Sequence, residues 1–231
     1  MTKPDLVYSF TSLNTYEKIC RHQMYRRYIK RDIRYVESPQ MRAGNAVHTA
    51  FEHRCRGGKP LPLEMQQWEA FAARFDGKPK AVEAKLGVNA VGEAVDFFAT
   101  DVRLRGKVDL FCYEGNKGFI ADWKTGSSRF EDPFELEVQA LLLRAHYPAV
   151  TDIYGAYAWL KDGYWGETYG PFDLQQTGCK IAAIVNRIEA NLKAPEWAKN
   201  PGPLCAWCDV LDCQFNRKPR DAREAVEGAH P

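Results

Sequence analysis

Between Gly106 and Gly126 the chain reads GKVDLFCYEGNKGFIADWKTG, two strand-like runs on either side of Glu114-Gly115-Asn116-Lys117. If Gly115 and Asn116 form the two-residue turn of a hairpin, counting outward fixes the register. Glu114 then faces Lys117, Tyr113 faces Gly118, and Asp109 faces Asp122. Directly opposed residues of antiparallel strands hold their Cβ atoms about 4.5–5.5 Å apart, and like charges placed there destabilise a sheet. Strand centres disfavour Asp, yet two coincide here. A hard divalent cation with oxygen ligands, Mg²⁺ or Mn²⁺, would neutralise the pair. Period-two alternation sets Lys124 on the face of Asp122, so two carboxylates and one ammonium share one patch of sheet. The alternative is a strand pair with exposed charge and a Lys that simply pairs with an Asp. A one-residue slip would send the carboxylates to opposite faces.

Around this hairpin the periodicity alternates between helix and strand. Helices are predicted over Ser12–Arg34, Met41–Arg56, Leu63–Phe75, Pro133–Tyr147 and Leu174–Leu192, and strands over Ala81–Ala90, Val95–Thr100, Arg103–Tyr113, Lys117–Lys124, Ile153–Leu160 and Trp165–Phe172. The expected architecture is α/β, a mixed central sheet flanked by helices. It is read as one domain over 1–231, with a core at about 79–192, a helical part at 1–78 and a cysteine-bearing segment at 193–231 that packs on the first helix. A chain of 231 residues, 45% apolar and 27% charged, has the balance of an ordinary globular protein. Apolar runs fall short of the ~18 residues that a membrane span requires. Met1 to Phe10 lacks a basic region followed by an apolar stretch. The expectation is a cytoplasmic protein, neither secreted nor membrane-embedded.

Net charge is +2, too weak to name a partner, so local charge carries that question. Leu13, Tyr16, Cys20, Met24 and Tyr28 form an apolar stripe on the first helix, while Lys18, Arg21, Arg26, Arg27, Lys30, Arg31 and Arg34 occupy its other faces. With Tyr25 and Tyr28 interleaved, the basic surface reads either as phosphate-contacting, through Arg21, Tyr25, Arg26, Arg27 and Lys30, or as a solvated helix face. Seven cysteines without an export signal point to buried thiols, metal ligands or reactive groups. Cys205, Cys208 and Cys213 crowd one Pro-flanked stretch; structural zinc commonly draws on two CxxC knuckles, and only one is present. Cys55, Cys112 and Cys179 are read as ordinary core or surface residues.

Asp109 and Asp122-Trp123-Lys124-Thr125-Gly126 resemble the core of the PD-(D/E)xK nucleases, and the DxKTG form resembles the RecB-like exonucleases, including the CRISPR-associated ones. Upstream, Gly44-x-x-x-His48 resembles that branch's helix-borne GxxxH motif, whose His adds a metal or site ligand; taken alone, His48 reads as an ordinary core or surface histidine. Downstream, Gln139 matches the first position of QxxxY, with Leu143 where Tyr is expected. Glu83 stands where some relatives place another acid, or is a solvent-facing strand residue. The resemblance implies a metal-dependent DNA exonuclease in which Asp109, Asp122, Lys124 and Gln139 serve catalysis. His48, Glu83, Asp109, Asp122 and the Trp123 carbonyl would hold Mg²⁺ or Mn²⁺. It further implies that Cys20, Cys205, Cys208 and Cys213 hold a [4Fe-4S] cluster stapling the chain ends, with Zn²⁺ the alternative cofactor. The implied partner is DNA, as single strands or duplex ends, with a recombination or CRISPR-type protein beside it. Relatives of this length are often phage- or CRISPR-encoded, which would put a phage protein in the host cytoplasm. Three rival readings are a catalytically idle DNA-binding or recombination scaffold, a zinc-stabilised endonuclease, and a cysteine redox centre with a merely structural hairpin.

Overall fold

The computed structural model describes residues 6–33, 37–128 and 131–218. The chain divides into two compact units, Met1–Val7 with Pro39–Gly178, and Tyr8–Ser38 with Cys179–Pro231.

The first unit is built on a six-stranded mixed sheet in the order β2-β1-β3-β4-β5-β6. The strands are β1 (Lys80–Val88), β2 (Ala94–Val95), β3 (Leu104–Glu114), β4 (Lys117–Lys124), β5 (Asp152–Trp159) and β6 (Tyr164–Trp165). Gly115 takes a left-handed φ of 56° at the β3–β4 turn, a conformation that costs glycine nothing. The ladder runs Glu114↔Lys117, Tyr113↔Gly118 and on to Leu110↔Ala121, the register counted from the sequence, and it ends one residue short of Asp109 and Asp122, where Asp109 Oδ2 instead accepts from the Trp123 N–H. β4 pairs parallel to β5, and such a pair needs a long crossover. Helix α5 (Phe134–His146), on the chain between those strands, supplies it.

Both faces of the sheet are covered. On one, Val47, Phe51 and Cys55 of helix α3 (Pro39–Cys55) and Phe71 and Ala72 of helix α4 (Glu69–Ala73) cluster with Leu110, Ala121, Trp123 and Ala158. Trp123 lies 4.6 Å from Phe51 between ring centroids, and full burial of one such side chain stabilises by about 1.5–3 kcal/mol. On the other, α5 buries Leu136, Ala140, Leu142 and Leu143. Coverage on both sides explains why β4 is buried almost throughout.

Several elements are shorter than predicted. The strand expected at Val95–Thr100 ends at Val95, because Asp96 Oδ1 accepts from the Phe98 N–H and turns the chain. The strand expected at Trp165–Phe172 is confined to Tyr164–Trp165 and a single bridge, Gly155↔Tyr169; Pro171 has no N–H to extend a ladder. β1 stops at Val88 where Asn89 Oδ1 accepts from the N–H groups of Val91 and Glu93. The third predicted helix divides into a 3₁₀ stretch, Leu63–Trp68, followed by α4.

In the second unit the predicted first helix is not continuous. Helix α1 (Phe10–Asn14) widens into a π turn, Thr15–Ile19, and then breaks at Cys20, whose backbone is extended at φ −165° and ψ 120°. Helix α2 (Arg21–Met24) and a second π turn, Tyr25–Lys30, follow. Tertiary hydrogen bonds outweigh local helix preference at the break: the His22 N–H donates to the Ala198 carbonyl at 3.0 Å, and Asn200 Nδ2 donates to the Ile19 carbonyl at 2.9 Å. Arg34, the predicted end of this helix, lies outside the described residues. Helix α6 (Leu174–Asn191) carries the chain from the first unit into the second.

Candidate metal centre and cysteine cluster

The hairpin register places Asp109 at the end of the β3–β4 ladder, and α3 delivers His48 to it, with His48 Nδ1 3.1 Å from Asp109 Oδ1 and 3.9 Å from Glu83 Oε1. Ligand atoms of His48, Glu83 and Asp109 all lie within 4.8 Å of one another, the one group of three or more metal-ligating side chains that close among the described residues. Glu83 gets there by an unusual route. The β1–β3 ladder pairs Val82↔Leu110 and Ala84↔Val108, which sets Glu83 level with Asp109, and Glu83 takes φ 53°. A left-handed non-glycine residue within a strand costs of order 1–3 kcal/mol. Opposed to this cost, the Glu83 carboxylate pairs with Lys107 and approaches His48.

Asp122 stands beside this triad rather than in it. Its Oδ2 accepts from Gln139 Nε2 at 3.0 Å. Its Oδ1 is 2.8 Å from Lys124 Nζ; the distance makes an ion pair, but the angles leave that buried oxygen without a hydrogen bond, as they do Gln139 Oε1. The buried, unsatisfied Gln139 acceptor costs about 1–3 kcal/mol, whereas Asp122 Oδ1 is compensated by the Lys124 ammonium. Oxygen atoms with one imidazole nitrogen are a donor set suited to a hard divalent ion. Trp123 contributes its backbone N–H, which donates to Asp109 Oδ2 at 2.9 Å.

The electrostatics follow from burial and proximity. Desolvation and the repulsion of Asp122 raise the Asp109 carboxyl above its usual range. Burial opposes the charged form of His48, but hydrogen bonds to Asp109 and Glu83 prevail and push it up to about 10. Burial likewise works against a charged Lys124, yet Asp122 and Glu135 hold it firmly protonated, with Glu135 Oε2 2.8 Å from Nζ. Burial first, and then Asp122, raise Glu135 to about 7. The Tyr157 ring lies 5.1 Å from the same ammonium.

Glu135, Lys107 and Tyr157 escape the sequence reading. Glu135 resembles an ordinary acidic residue in the first turn of a helix; the available signal was its i, i+4 spacing from Gln139, which sets both on one face of α5. Gly44 lies where a Cβ would come within 3.3 Å of Thr125 Oγ1, so α3 runs close to the exit of β4. Leu143, at the expected Tyr position, is fully buried core.

The second unit gathers the cysteines. Cys20, Cys205, Cys208 and Cys213 line one cavity with Leu204, Val210 and Phe215, and all are free thiols. The extended backbone at Cys20 takes that residue off the predicted apolar stripe. Gly202 N–H donates to Cys205 Sγ at 3.4 Å, and burial, with smaller contributions from Cys20 and Cys205, raises the Cys208 thiol. Four thiols lining one cavity are a donor set for a thiolate-ligated group, zinc or an iron–sulfur cluster.

The basic residues of the same segment are engaged within their unit. Arg26 pairs with Asp32 at 2.7 Å and Asp212 at 2.9 Å, Arg27 pairs with Asp209, and Lys30 pairs with Asp32 at 2.6 Å. Arg21 lies over the Tyr16 ring, and Tyr25 stacks on Trp197 at 5.3 Å. No helix among the described residues is long and apolar enough to cross a membrane.

Comparison with known proteins adds two findings. A family model described as "PD-(D/E)XK nuclease superfamily" matches residues 63–213, which include Glu83, Asp109, Asp122 and Lys124. The crystal structure of SSO0001 superimposes with a TM-score of 0.51 at 14% identity, covering 94% of this chain and 89% of that one; at this identity it speaks to the fold alone. No curated protein matches.

Proposed function

Since the chain belongs to the PD-(D/E)XK nuclease superfamily, we propose that it is a Mg²⁺- or Mn²⁺-dependent DNA exonuclease whose second unit holds a [4Fe-4S] cluster. The observation that carries the nuclease reading is the convergence of His48, Glu83 and Asp109 within 4.8 Å, beside Asp122 and Lys124. These residues, with the Asp122 oxygen that accepts no hydrogen bond, would hold the cation. When bound, a divalent cation supplies Lewis acidity, lowering the pKa of a water and offsetting charge that develops on the phosphate.

The chain's own side chains do the rest. Lys124, kept protonated by Asp122 and Glu135, presents an ammonium that orients the attacking water and stabilises the phosphorane-like charge. Glu135 holds Lys124 in place through a carboxylate that does not belong to the His48–Glu83–Asp109 group, so Lys124 would keep a partner were Asp122 engaged by a cation. Gln139 fixes the plane of the Asp122 carboxylate through its Nε2. The cluster reading rests on the four thiols that line one cavity and on the sequence resemblance, with Zn²⁺ the alternative. Exonuclease mode and a recombination or CRISPR-type partner rest on the sequence resemblance alone, and a cytoplasmic place rests on the sequence's lack of an export-signal pattern.

The test is cleavage of labelled linear and covalently closed single-stranded DNA in Mg²⁺ and in Mn²⁺. Asp122→Ala and Lys124→Ala are each expected to lower turnover by about a hundredfold to ten-thousandfold with folding intact. Turnover retained in both would end the assignment, and cutting of closed circles would make the enzyme an endonuclease.

A further inference from the structure

One face of the β1–β3 pair carries an unusual concentration of positive charge. Lys85 is directly opposite Lys107 in the ladder, and two residues further along Gly87 is opposite Arg105, so all three cations share a face. Like charges directly opposed destabilise a strand pair. Lys107 is compensated by Glu83, a residue of the metal centre, whereas Lys85 has its ammonium 5.9 Å from the ring of Phe98. The Arg105 guanidinium lies 4.7 Å from the Phe97 ring and 5.7 Å from Phe98, and it donates to the Phe97 carbonyl at 3.2 Å. Phe98 itself is 70% exposed. It is held there by the turn in which its N–H donates to Asp96 Oδ1, and by an edge-on contact with Phe97 at 4.9 Å.

A large aromatic ring left in solvent, with two cations over it and a third leading to the catalytic acids, is a combination that suits a single nucleic-acid strand: phosphates on the cations and a base on the ring. We propose that this face of β1 and β3 receives single-stranded DNA on its way to the metal centre, with Lys85 and Arg105 contacting the backbone and Phe98 stacking against a base. The proposal rests on the nuclease reading for the identity of its ligand. It adds a strand path that starts on the first unit's own sheet, and it gives the Lys85–Lys107 opposition a counter-charge.

The probe is a short fluorescein-labelled thymidine oligonucleotide, with binding measured by anisotropy in the full-length Asp122→Asn chain so that the strand stays whole. Phe98→Ala is expected to weaken binding about tenfold, in line with the loss of one stacked base, and Phe98→Trp to restore it. Lys85→Ala and Arg105→Ala should each lower the slope of log affinity against log salt by about 0.7. Unchanged affinity in Phe98→Ala together with an unchanged slope in Lys85→Ala would overturn the proposal, as would Phe98→Leu binding as tightly as Phe98. Equal losses on a blunt duplex would overturn the single-strand assignment. Hydrolysis of bis(p-nitrophenyl) phosphate, a diester without a polynucleotide backbone to lie along this face, separates the two readings. Wild-type chain that leaves this diester intact in Mn²⁺ and Mg²⁺ would count against the nuclease, while the oligonucleotide still judges the patch; in an active enzyme, Phe98→Ala should hydrolyse it at the wild-type rate.

Discussion

His48 is asked to be two things, an imidazolium between carboxylates when the cation is absent and a neutral ligand when it is present. Its pKa is pushed up to about 10 in the metal-free protein, against about 6.5 in an unfolded chain. A raised folded-state value means that the stabilisation by protonated His48 is complete below about pH 6.5 and is lost as pH rises through about 10. In EDTA, therefore, the difference in urea midpoint between wild type and His48→Gln should favour wild type at pH 6 and shrink steadily toward pH 10; a difference that grows with pH would refute this account. Over the same interval Mn²⁺ affinity should climb, because binding must displace the proton. The acids and Lys124 were legible in the sequence because strand register is arithmetic once a turn is fixed. Glu83's carboxylate is brought to the site by a left-handed backbone, which no local pattern announces.

At the level of elements, the β3–β4 hairpin followed the register counted from its sequence as far as Leu110↔Ala121, while the first helix did not. The difference is physical: hairpin register is set by a turn and an alternating pattern close at hand, whereas the break at Cys20 is fixed by hydrogen bonds to Ala198 and Asn200, far along the chain. The short strands at residues 95 and 165 likewise failed to extend because Asp96 and Pro171 offered the backbone other options or none. Near the hairpin's turn, a Cβ added to Gly118 would come within 2.4 Å of Phe111 Cε2 and 2.9 Å of Val150 Cγ1. Phe111 is fully buried and has little room to retreat. Gly118→Ala should destabilise the protein by about 1–3 kcal/mol, read as a lower urea midpoint with unchanged slope. A midpoint equal to wild type would show that the ring can move.

For the whole molecule, the two candidate inorganic sites fall in different units and call for different treatment. The carboxylate–imidazole centre is built on a sheet with a covered core, so EDTA should leave it folded and reversibly inactive. The cysteine cavity is lined largely by irregular chain, and its bound group would supply much of that unit's cohesion. Anaerobic purification should give a brown protein with broad visible absorbance, lost along with several degrees of melting temperature in Cys20→Ala; a colourless protein with stoichiometric zinc would reject the cluster. That unit is also discontinuous, drawn from Tyr8–Ser38 and Cys179–Pro231, with Arg26 and Arg27 paired to Asp212 and Asp209. On the ribosome, where chains emerge amino end first, its opening segment must wait for the stretch from Cys179 onward to be translated before it can close. The intervening sheet can complete itself in that interval, so the order of assembly runs from the middle of the polypeptide outward, and a chain truncated after Gly178 leaves Tyr8–Ser38 without the stretch that supplies Trp197, Ala198 and Asn200.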